Sequence, residues 1–207
     1  MAYRIIAFDV DGTLLDTEKS ELTNLGEQVY EETGRRCTWE ELLPTYGMTG
    51  PDALRYLGCT PEQAAVLRPR WHERSMAGVT TVPLFDGLAE TLEALRIAGV
   101  GMGIVTSRGK PTVERCVAAR GWERYFPVRI TQQDTDAHKP DPAPLLLCLE
   151  RAGVSPAEAL YVGDSPFDME CAANAGVDSA LALWGTRQPG LACTHRLAQP
   201  ADLLKLI

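Results

Sequence analysis

Two aspartates, Asp9 and Asp11, follow the first apolar run of the chain, Ile5–Phe8. In an extended chain alternate residues point to the same side, so the two carboxylates are expected to lie together. Neighbouring carboxylates repel each other, and one pKa rises unless a cation intervenes. Such a pair can divide catalytic work, one group attacking while the other donates and removes a proton. The alternative is a hairpin turn, which the Asp11-Gly12 dipeptide also favours.

A second apolar run, Val100–Thr106, ends in a hydroxyl residue and is followed directly by another, Ser107. Both precede a helix that opens near Pro111. Free backbone N–H groups and the helix dipole at a helix N-terminus attract phosphate. The pair is therefore a candidate phosphate ligand. The alternative is ordinary capping of the helix by the serine.

Lys139 lies in the segment His138–Pro142, in which prolines restrict the chain on both sides of Asp141. An ammonium held on a stiff loop could neutralise a phosphoryl oxygen and weaken the repulsion between nearby carboxylates. The alternative is a solvated lysine beside a helix start. We interpret His138 as structural or exposed.

A third acidic feature, Asp164 with Asp168, follows the apolar run Leu160–Val162. The first carboxylate is expected at the edge of the sheet and the second one turn into the next helix. Mg²⁺ prefers one or two carboxylates together with water and substrate phosphate, so both residues are candidate ligands. Either could instead serve only to cap the helix.

Short apolar runs alternate with helical patterns over most of the chain, which predicts a parallel sheet covered by helices on both faces. Ligands of such sheets bind at the carboxyl ends of the strands, where the four polar features would meet. The predicted strands are Ile5–Phe8, Val100–Thr106, Val128–Thr131, Leu160–Val162 and Ala180–Trp184. The predicted helices open at Asp86, Pro111, Asp141 and Phe167 and close at Gly99, Gly121, Gly153 and Gly176.

The stretch 16–83 interrupts this rhythm and contains no convincing strand. Leu22, Leu25 and Val29 fall on one helical face, and Pro61 occupies the first position of a further predicted helix. A long insertion of this kind is usually functional, for example as a lid.

The predicted fold class is therefore α/β, a parallel-sheet, Rossmann-like core with an inserted small all-helical cap domain. The core is expected to comprise residues 1–15 and 84–207, and the cap residues 16–83. Hinges are expected near Leu14–Thr17 and Val79–Phe85.

The composition limits the partners of the chain. Its 207 residues carry a formal charge of −8, which disfavours binding to nucleic acid and anionic lipid. No apolar run is long enough for a membrane helix, and the start of the chain lacks the features of a signal peptide. Six cysteines without C-x-x-C spacing fit reduced thiols, so a cytoplasmic location is expected. The oligomeric state is left open.

The polar motifs resemble those of the haloacid dehalogenase-like hydrolase superfamily, in particular the group of phosphoglycolate phosphatases, pyrophosphatases and β-phosphoglucomutases. The insertion is similar to the helical cap of that group. The matching motifs are D-x-D-G-T at Asp9–Thr13, the hydroxyl residue Thr106, the lysine Lys139 and G-D-x-x-x-D at Gly163–Asp168.

This resemblance implies a Mg²⁺-dependent phosphatase that hydrolyses a small phosphorylated metabolite. Asp9 would form an aspartyl-phosphate, and Asp11 would protonate the leaving oxygen and then activate water. The resemblance implies a phosphate cradle of Thr106, Ser107 and Lys139, and a metal site of the Asp9 carboxylate, the Asp11 backbone carbonyl and Asp164, supported by Asp168.

Two alternatives stay open, a phosphosugar mutase like β-phosphoglucomutase and a phospho-accepting receiver-type signalling domain. Mutases of this group carry a cap histidine and a cap arginine that align near Glu21 and Gly50, and neither type matches. Receivers are shorter and lack a large insertion after the first strand. Dehalogenation is disfavoured because dehalogenases of the superfamily lack the aspartate found here as Asp11.

Substrate choice is expected to depend on cap residues that face the core. The candidate loop is Gly47–Pro51, with Thr49 and Gly50 as contacts, and Lys19 and Arg55 are candidate contacts for an anion.

Other large residues are interpreted as structural. Four aromatic residues of the insertion are expected in the core of the cap. Arg108 is expected to be exposed, with contact to the substrate as the alternative. The aromatic residues are Trp39, Tyr46, Tyr56 and Trp71.

Overall fold

The computed structural model describes residues 3–207, in which six strands and eight α-helices form. The strands are β1 (Ile5–Phe8), β2 (Gly101–Val105), β3 (Val128–Ile130), β4 (Ala159–Gly163), β5 (Asp178–Ala182) and β6 (His195–Leu197). The helices are α1 (Glu18–Thr33), α2 (Trp39–Leu42), α3 (Gly50–Tyr56), α4 (Pro61–Gly78), α5 (Leu88–Ile97), α6 (Lys110–Arg120), α7 (Ala143–Ala152) and α8 (Pro166–Ala175).

The six strands form one parallel sheet in the order β3-β2-β1-β4-β5-β6. Strand β1 lies between β2 and β4, with Ile5 opposite Gly101 on one side and Ala159 on the other. The predicted parallel sheet is confirmed. The hairpin alternative at Asp11-Gly12 is wrong, because both neighbours of β1 run parallel to it.

Helices cover both faces of this sheet. Ile6 and Phe8 of β1 belong to a buried cluster that includes residues of α5 and α6. Ile5 and Ala7, which point to the other face, belong to a cluster that includes residues of α7 and α8. Burial on both faces explains why β1 is apolar at every position.

Two details of the sheet differ from the prediction. The fifth strand ends at Ala182 rather than Trp184, because the chain turns there and the indole N–H of Trp184 donates to the Thr13 carbonyl at 3.0 Å. Strand β6 was not predicted. It has three residues, of which only Leu197 is buried, so its pattern is too short and too polar to recognise.

Helices α1 to α4 form the predicted insertion between β1 and α5, and no strand occurs within residues 18–78. They surround a hydrophobic cluster separate from the two clusters of the sheet. The two connecting segments run side by side, with Asp16 N–H bonded to the Pro83 carbonyl at 3.1 Å. On these grounds we propose that residues 16–83 are a cap domain. The buried cluster comprises Leu22, Leu25, Val29, Leu42, Ala53, Leu54, Leu57 and Leu67.

Three of the four aromatic residues expected in this cluster pack against it, namely Trp39, Tyr46 and Trp71. The prediction for Tyr56 is wrong, since this side chain is 55% exposed. Helix α3 buries the face that carries Ala53 and Leu54, which leaves Tyr56 on the outer face.

Across residues 3–207, no helix combines the length and the hydrophobicity that crossing a membrane would require. All six cysteines are free thiols, and Cys116, Cys148 and Cys171 are buried.

Two neighbouring leucines of α7 test the packing of this helix on the sheet. Leu145 is fully buried, whereas Leu146 is 40% exposed. We expect Leu145→Ala to lower the free energy of unfolding by about 2–5 kcal/mol, because it removes buried methyl groups and leaves a cavity. The matched control Leu146→Ala is expected to change it by less than about 0.5 kcal/mol. Urea denaturation measures both, and equal losses would contradict the packing.

Candidate active site

Three neighbouring strands end in the predicted site residues. Asp9 follows β1, Thr106 follows β2 and Asp164 follows β4, and these strands are adjacent in the sheet. Carboxylate oxygens of Asp9, Asp164 and Asp168 lie within 4.8 Å of one another, and all three residues are buried. The structure therefore brings together acidic residues that are more than 150 positions apart in sequence.

Lys139 reaches this acidic cluster from the loop between β3 and α7. Its ammonium lies 3.0 Å from Asp9 Oδ1 and 2.7 Å from Asp168 Oδ1, and its side chain is 2% exposed. The solvated-lysine alternative is therefore wrong. Asp168 also accepts hydrogen bonds from the hydroxyls of Tyr161 at 2.9 Å and Ser165 at 2.5 Å.

Asp168 thus has two structural duties. It orients Lys139, and with Ser165 it forms the capping box that starts α8. The capping alternative is correct for Asp168, but the same carboxylate belongs to the acidic cluster. Tyr161 was not predicted, because a tyrosine within an apolar strand carries no sign of a polar partner.

Burial controls the charge of this cluster. It raises the pKa of Asp9 to about 7, an effect that Lys139 opposes and the carboxylates of Asp168 and Asp11 reinforce. Burial and the carboxylates of Asp168 and Asp9 hold the pKa of Asp164 well above its usual range. Burial alone would raise the pKa of Asp168, but the ammonium of Lys139 and hydrogen bonds lower it.

If all three carboxylates were ionised beside one ammonium, they would leave an excess of two negative charges in a buried space, and the raised pKa values of Asp9 and Asp164 reflect the cost of this arrangement. A buried charge of this size is costly unless it is compensated. Mg²⁺ supplies a matching charge and prefers carboxylate oxygens. The residues therefore fit a divalent cation.

The loop after β1 closes over Asp164. Gly12 has a φ of 76°, and a Cβ at this position would collide with the Asp164 carboxylate. The hydroxyl of Thr13 donates to Asp164 Oδ1 at 3.1 Å. Residue 12 must be glycine for this approach to occur.

The two predicted hydroxyl residues, Thr106 and Ser107, have hydrogen-bond partners in different parts of the chain. Thr106 is buried, and its Oγ1 accepts the N–H of Arg108 at 3.2 Å. The hydroxyl of Ser107 donates to the carbonyl of Gly47 in the insertion at 2.9 Å. The capping alternative for Ser107 is wrong, because the residue that caps α6 is Gly109.

Arg108 corrects a prediction, since its side chain is only 9% exposed. Its Nε lies 2.7 Å from Asp11 Oδ2, and its Nη2 lies 2.6 Å from Asp11 Oδ1 and 2.7 Å from Glu21 Oε1. The guanidinium lies between a carboxylate of the core and a carboxylate of α1. This pairing over 87 positions left no local sequence signal.

Asp11 occupies the junction between the sheet and the insertion, outside the three-carboxylate cluster. Besides Arg108, it accepts the hydroxyl of Thr17 at 2.5 Å, and that hydroxyl oxygen lies 2.8 Å from the hydroxyl of Tyr46. Glu21 accepts the hydroxyl of Ser75 in α4 at 2.7 Å. Arg108 therefore connects the sheet to α1 through Glu21, and Glu21 in turn connects to α4 through Ser75.

A cavity of about 590 Å³ lies between the insertion and the strand ends. Asp9, Asp11, Thr106, Ser107 and Lys139 line it from the sheet side. Helices α1 and α4, the segment that leads into α3, the start of α6 and the loop after β3 also contribute to its lining. A ligand bound there would contact the acidic cluster and the insertion together.

Of the four predicted contacts in the insertion, the structure brings Gly50 to the cavity. Thr49 is buried and caps α3, and Lys19 and Arg55 are exposed away from the lining. Arg55 pairs with Asp52 at 2.8 Å. Three lining residues of α4 were not predicted as contacts, namely Arg68, Trp71 and His72.

A sequence model described as haloacid dehalogenase-like hydrolase matches residues 6–182 of this chain. A phosphoglycolate phosphatase of Xanthomonas campestris is 33% identical over 205 residues, which are 97% of this chain and 91% of the relative. A pyrophosphatase of Bacillus velezensis is 31% identical over 181 residues, which are 86% of this chain and 82% of the relative.

A solved structure from Lactobacillus plantarum superposes on the chain with a TM-score of 0.92 at 29% sequence identity. The match covers 100% of both chains, so it includes the sheet and the inserted helices.

Two glycines with similar backbone angles test the loop over Asp164. Gly12 has a φ of 76° and would collide with Asp164 if it carried a Cβ, whereas Gly153 has a φ of 65° and faces open space. We expect Gly153→Ala to cost only the backbone strain, about 1–2 kcal/mol. Gly12→Ala should cost more and should also abolish the rise in melting temperature that we expect Mg²⁺ to give the wild type. Calorimetry with and without Mg²⁺ measures both effects, and equal behaviour of the variants would contradict this geometry.

The buried role of Arg108 is tested by Arg108→Gln, which leaves two carboxylates without their cation. We expect a loss of about 3 kcal/mol in the free energy of unfolding. Adding Glu21→Gln should restore part of this loss, because one unpaired charge disappears. Arg55→Gln is the matched control, and its exposed ion pair should contribute little. Additive losses in the double variant, measured by urea denaturation, would exclude the charge pairing.

Proposed function

We propose that this chain, which belongs to the haloacid dehalogenase-like hydrolase family, hydrolyses a small phosphorylated metabolite with Mg²⁺ through an aspartyl-phosphate on Asp9. The chain is a phosphatase of phosphoric monoesters. The observation that carries the proposal is the buried group of three carboxylates beside Lys139 at the strand ends.

The carboxylates of Asp9 and Asp164 would hold Mg²⁺ together with the backbone carbonyl of Asp11, and Asp168 would support the site by orienting Lys139. When bound, the cation neutralises charge on the phosphoryl oxygens. The excess negative charge of the cluster supports this assignment.

In the first step, an oxygen of Asp9 attacks phosphorus, and the bond from phosphorus to the ester oxygen breaks. Asp11 gives its proton to the leaving oxygen, so the alcohol departs neutral. In the second step, water attacks phosphorus and passes a proton to Asp11, which releases phosphate and the Asp9 carboxylate. Covalent catalysis thereby divides one difficult displacement into two easier ones.

Phosphoryl transfer depends mainly on position and on charge neutralisation. The ammonium of Lys139 is 3.0 Å from the attacking carboxylate, where it can also accept charge from a phosphoryl oxygen. Thr106 and Ser107 line the same cavity and supply hydroxyl donors to the transferred group. Ser107 must release the Gly47 carbonyl to do so.

Asp11 must exchange a proton with the ester, yet both of its oxygens are held by Arg108 in this structure. The guanidinium therefore has to turn away, or the cap has to move, before the first step. Because Arg108 also contacts Glu21, motion of the cap and release of Asp11 are expected to occur together.

The six free thiols support a reducing compartment, and we propose that the chain works in the cytoplasm on a freely diffusing metabolite. Its charge of −8 means that the substrate anion must be attracted by local groups at the strand ends rather than by the overall field.

The proposal predicts phosphate release from 4-nitrophenyl phosphate that requires both Mg²⁺ and Asp9. We expect Asp9→Asn to lower kcat by at least about 10³-fold, because the amide is not a nucleophile. Chelation with EDTA should have a comparable effect, reversed by adding Mg²⁺. Asp136→Asn is the matched control, since this exposed carboxylate lies outside the site. Activity that persists in Asp9→Asn or after chelation would overturn the proposal.

A further inference from the structure

We infer that the alcohol released by this phosphatase carries an uncharged, ring-sized apolar body, which binds against the apolar wall of the cap around Trp71. The inference rests on the proposed function and names the class of its substrate. Three features of the cavity support it, namely the chemistry of the cap wall, the size of the space and the state of its cations.

The wall that the cap contributes is predominantly apolar. Trp71 and Gly50 both line the cavity, and the indole ring lies at ordinary van der Waals distance, 3.4 Å, from where a Cβ of residue 50 would stand. The apolar residues of the wall are Leu22, Leu25, Met48, Pro51, Ala65, Pro69 and Trp71, of which Leu22 and Leu25 are almost fully buried.

The cavity is larger than a phosphoryl group with a two-carbon acid requires. Its volume is about 590 Å³. Pockets of roughly 300–1,000 Å³ accommodate drug-sized ligands, and most of their lining is hydrophobic or aromatic. A small leaving group would leave the cap wall in contact with water, whereas a ring would displace that water and gain the hydrophobic free energy.

The buried cations of the cavity are already paired. Lys139 contacts Asp9 and Asp168, and Arg108 contacts Asp11 and Glu21. When Arg108 releases Asp11 together with motion of the cap, its contact with Glu21 moves with it. A second anionic group on the leaving side would therefore meet cations that are still engaged by carboxylates, and its desolvation would not be compensated.

Arg68 is the remaining arginine of the lining, and it is exposed. Solvent and salt screen an exposed charge, so its attraction for a second anion is weak. Nδ1 of His72 lies 3.3 Å from the hydroxyl of Thr112, which places a polar pair beside the apolar wall. A neutral body with a few polar atoms fits this lining better than a carboxylate or a second phosphate.

The test compares three esters of alkyl alcohols, namely 2-phenylethyl phosphate, ethyl phosphate and phosphoglycolate, each with saturating Mg²⁺. The phenylethyl and ethyl esters have leaving groups of similar reactivity, so their ratio of kcat/KM reports binding of the ring. We expect the phenylethyl ester to exceed ethyl phosphate by about 10- to 100-fold, the gain from burying an aromatic side group. Phosphoglycolate should not exceed ethyl phosphate. A preference for phosphoglycolate, or equal values for the phenylethyl and ethyl esters, would overturn the inference.

Variants of Trp71 test whether the preference for the phenylethyl ester arises from the cap wall. In Trp71→Ala the ratio between the phenylethyl and ethyl esters should fall towards one, whereas Trp71→Phe should keep most of it because a ring remains. Arg68→Gln should not change the ratio of phosphoglycolate to ethyl phosphate, and a selective loss for phosphoglycolate would contradict the role given to screening.

The failure of this inference can be distinguished from the failure of the proposed function. If no ester is hydrolysed with Mg²⁺ present, the proposed function fails. If the esters are hydrolysed through Asp9 but without preference for the ring, only the inference about the leaving group fails.

Discussion

Repulsion among three buried carboxylates is the constraint on which the rest of this structure depends. Asp9, Asp164 and Asp168 are held within 4.8 Å, and among residues 3–207 Lys139 is the cation that contacts Asp9 and Asp168. Such a cluster is costly in a folded protein, so the surrounding backbone must impose it. Strand β1 lies between β2 and β4, which places two of the acids on adjacent strand ends. Gly163 allows Asp168 to approach, since a Cβ there would collide with its side chain.

A second group of charges connects this site to the cap. Arg108 follows β2 and contacts Asp11 of the core and Glu21 of the cap. One guanidinium therefore forms ion pairs with both parts of the chain. When the cap moves away from the strand ends, Arg108 must lose its contact with Asp11 or its contact with Glu21. The arrangement couples access to the cavity with the freedom of Asp11, and it needs no change in the sheet itself.

Local patterns were sufficient to predict five of the six strands, the approximate bounds of helices α5 to α8 and the four polar motifs. The apolar run of β1 predicted burial on both faces, and the position of Asp9 after it predicted a place at the sheet edge. These features depend on neighbours within a few residues, which is the range over which periodicity and turn chemistry act. The exposed state of Tyr56 was missed because it depends on which face of α3 meets the other cap helices.

Pairings that depend on tertiary packing could not be predicted. The contact of Arg108 with Glu21 requires α1 to lie above the end of β2, and the contact of Tyr161 with Asp168 is hidden within an apolar strand. Lys19 and Arg55 were chosen as anion contacts by charge alone, but exposed cations on a helix need not face the cavity. The wall of the cap is instead predominantly apolar, and the sequence pattern of apolar residues that bind a ligand does not differ from that of residues that pack in a core.

Chemical trapping of the phosphorylated residue tests the central claim most directly. Acyl phosphates are reduced by borohydride to the alcohol, so a quenched reaction of the enzyme with Mg²⁺ and ester can be reduced, digested and sequenced by mass spectrometry. We expect homoserine at position 9 of the peptide 5–19, and we expect this product to be absent when Mg²⁺ is chelated. Homoserine at position 11 or elsewhere, or an unmodified Asp9 during turnover with a measurable burst of alcohol, would contradict it.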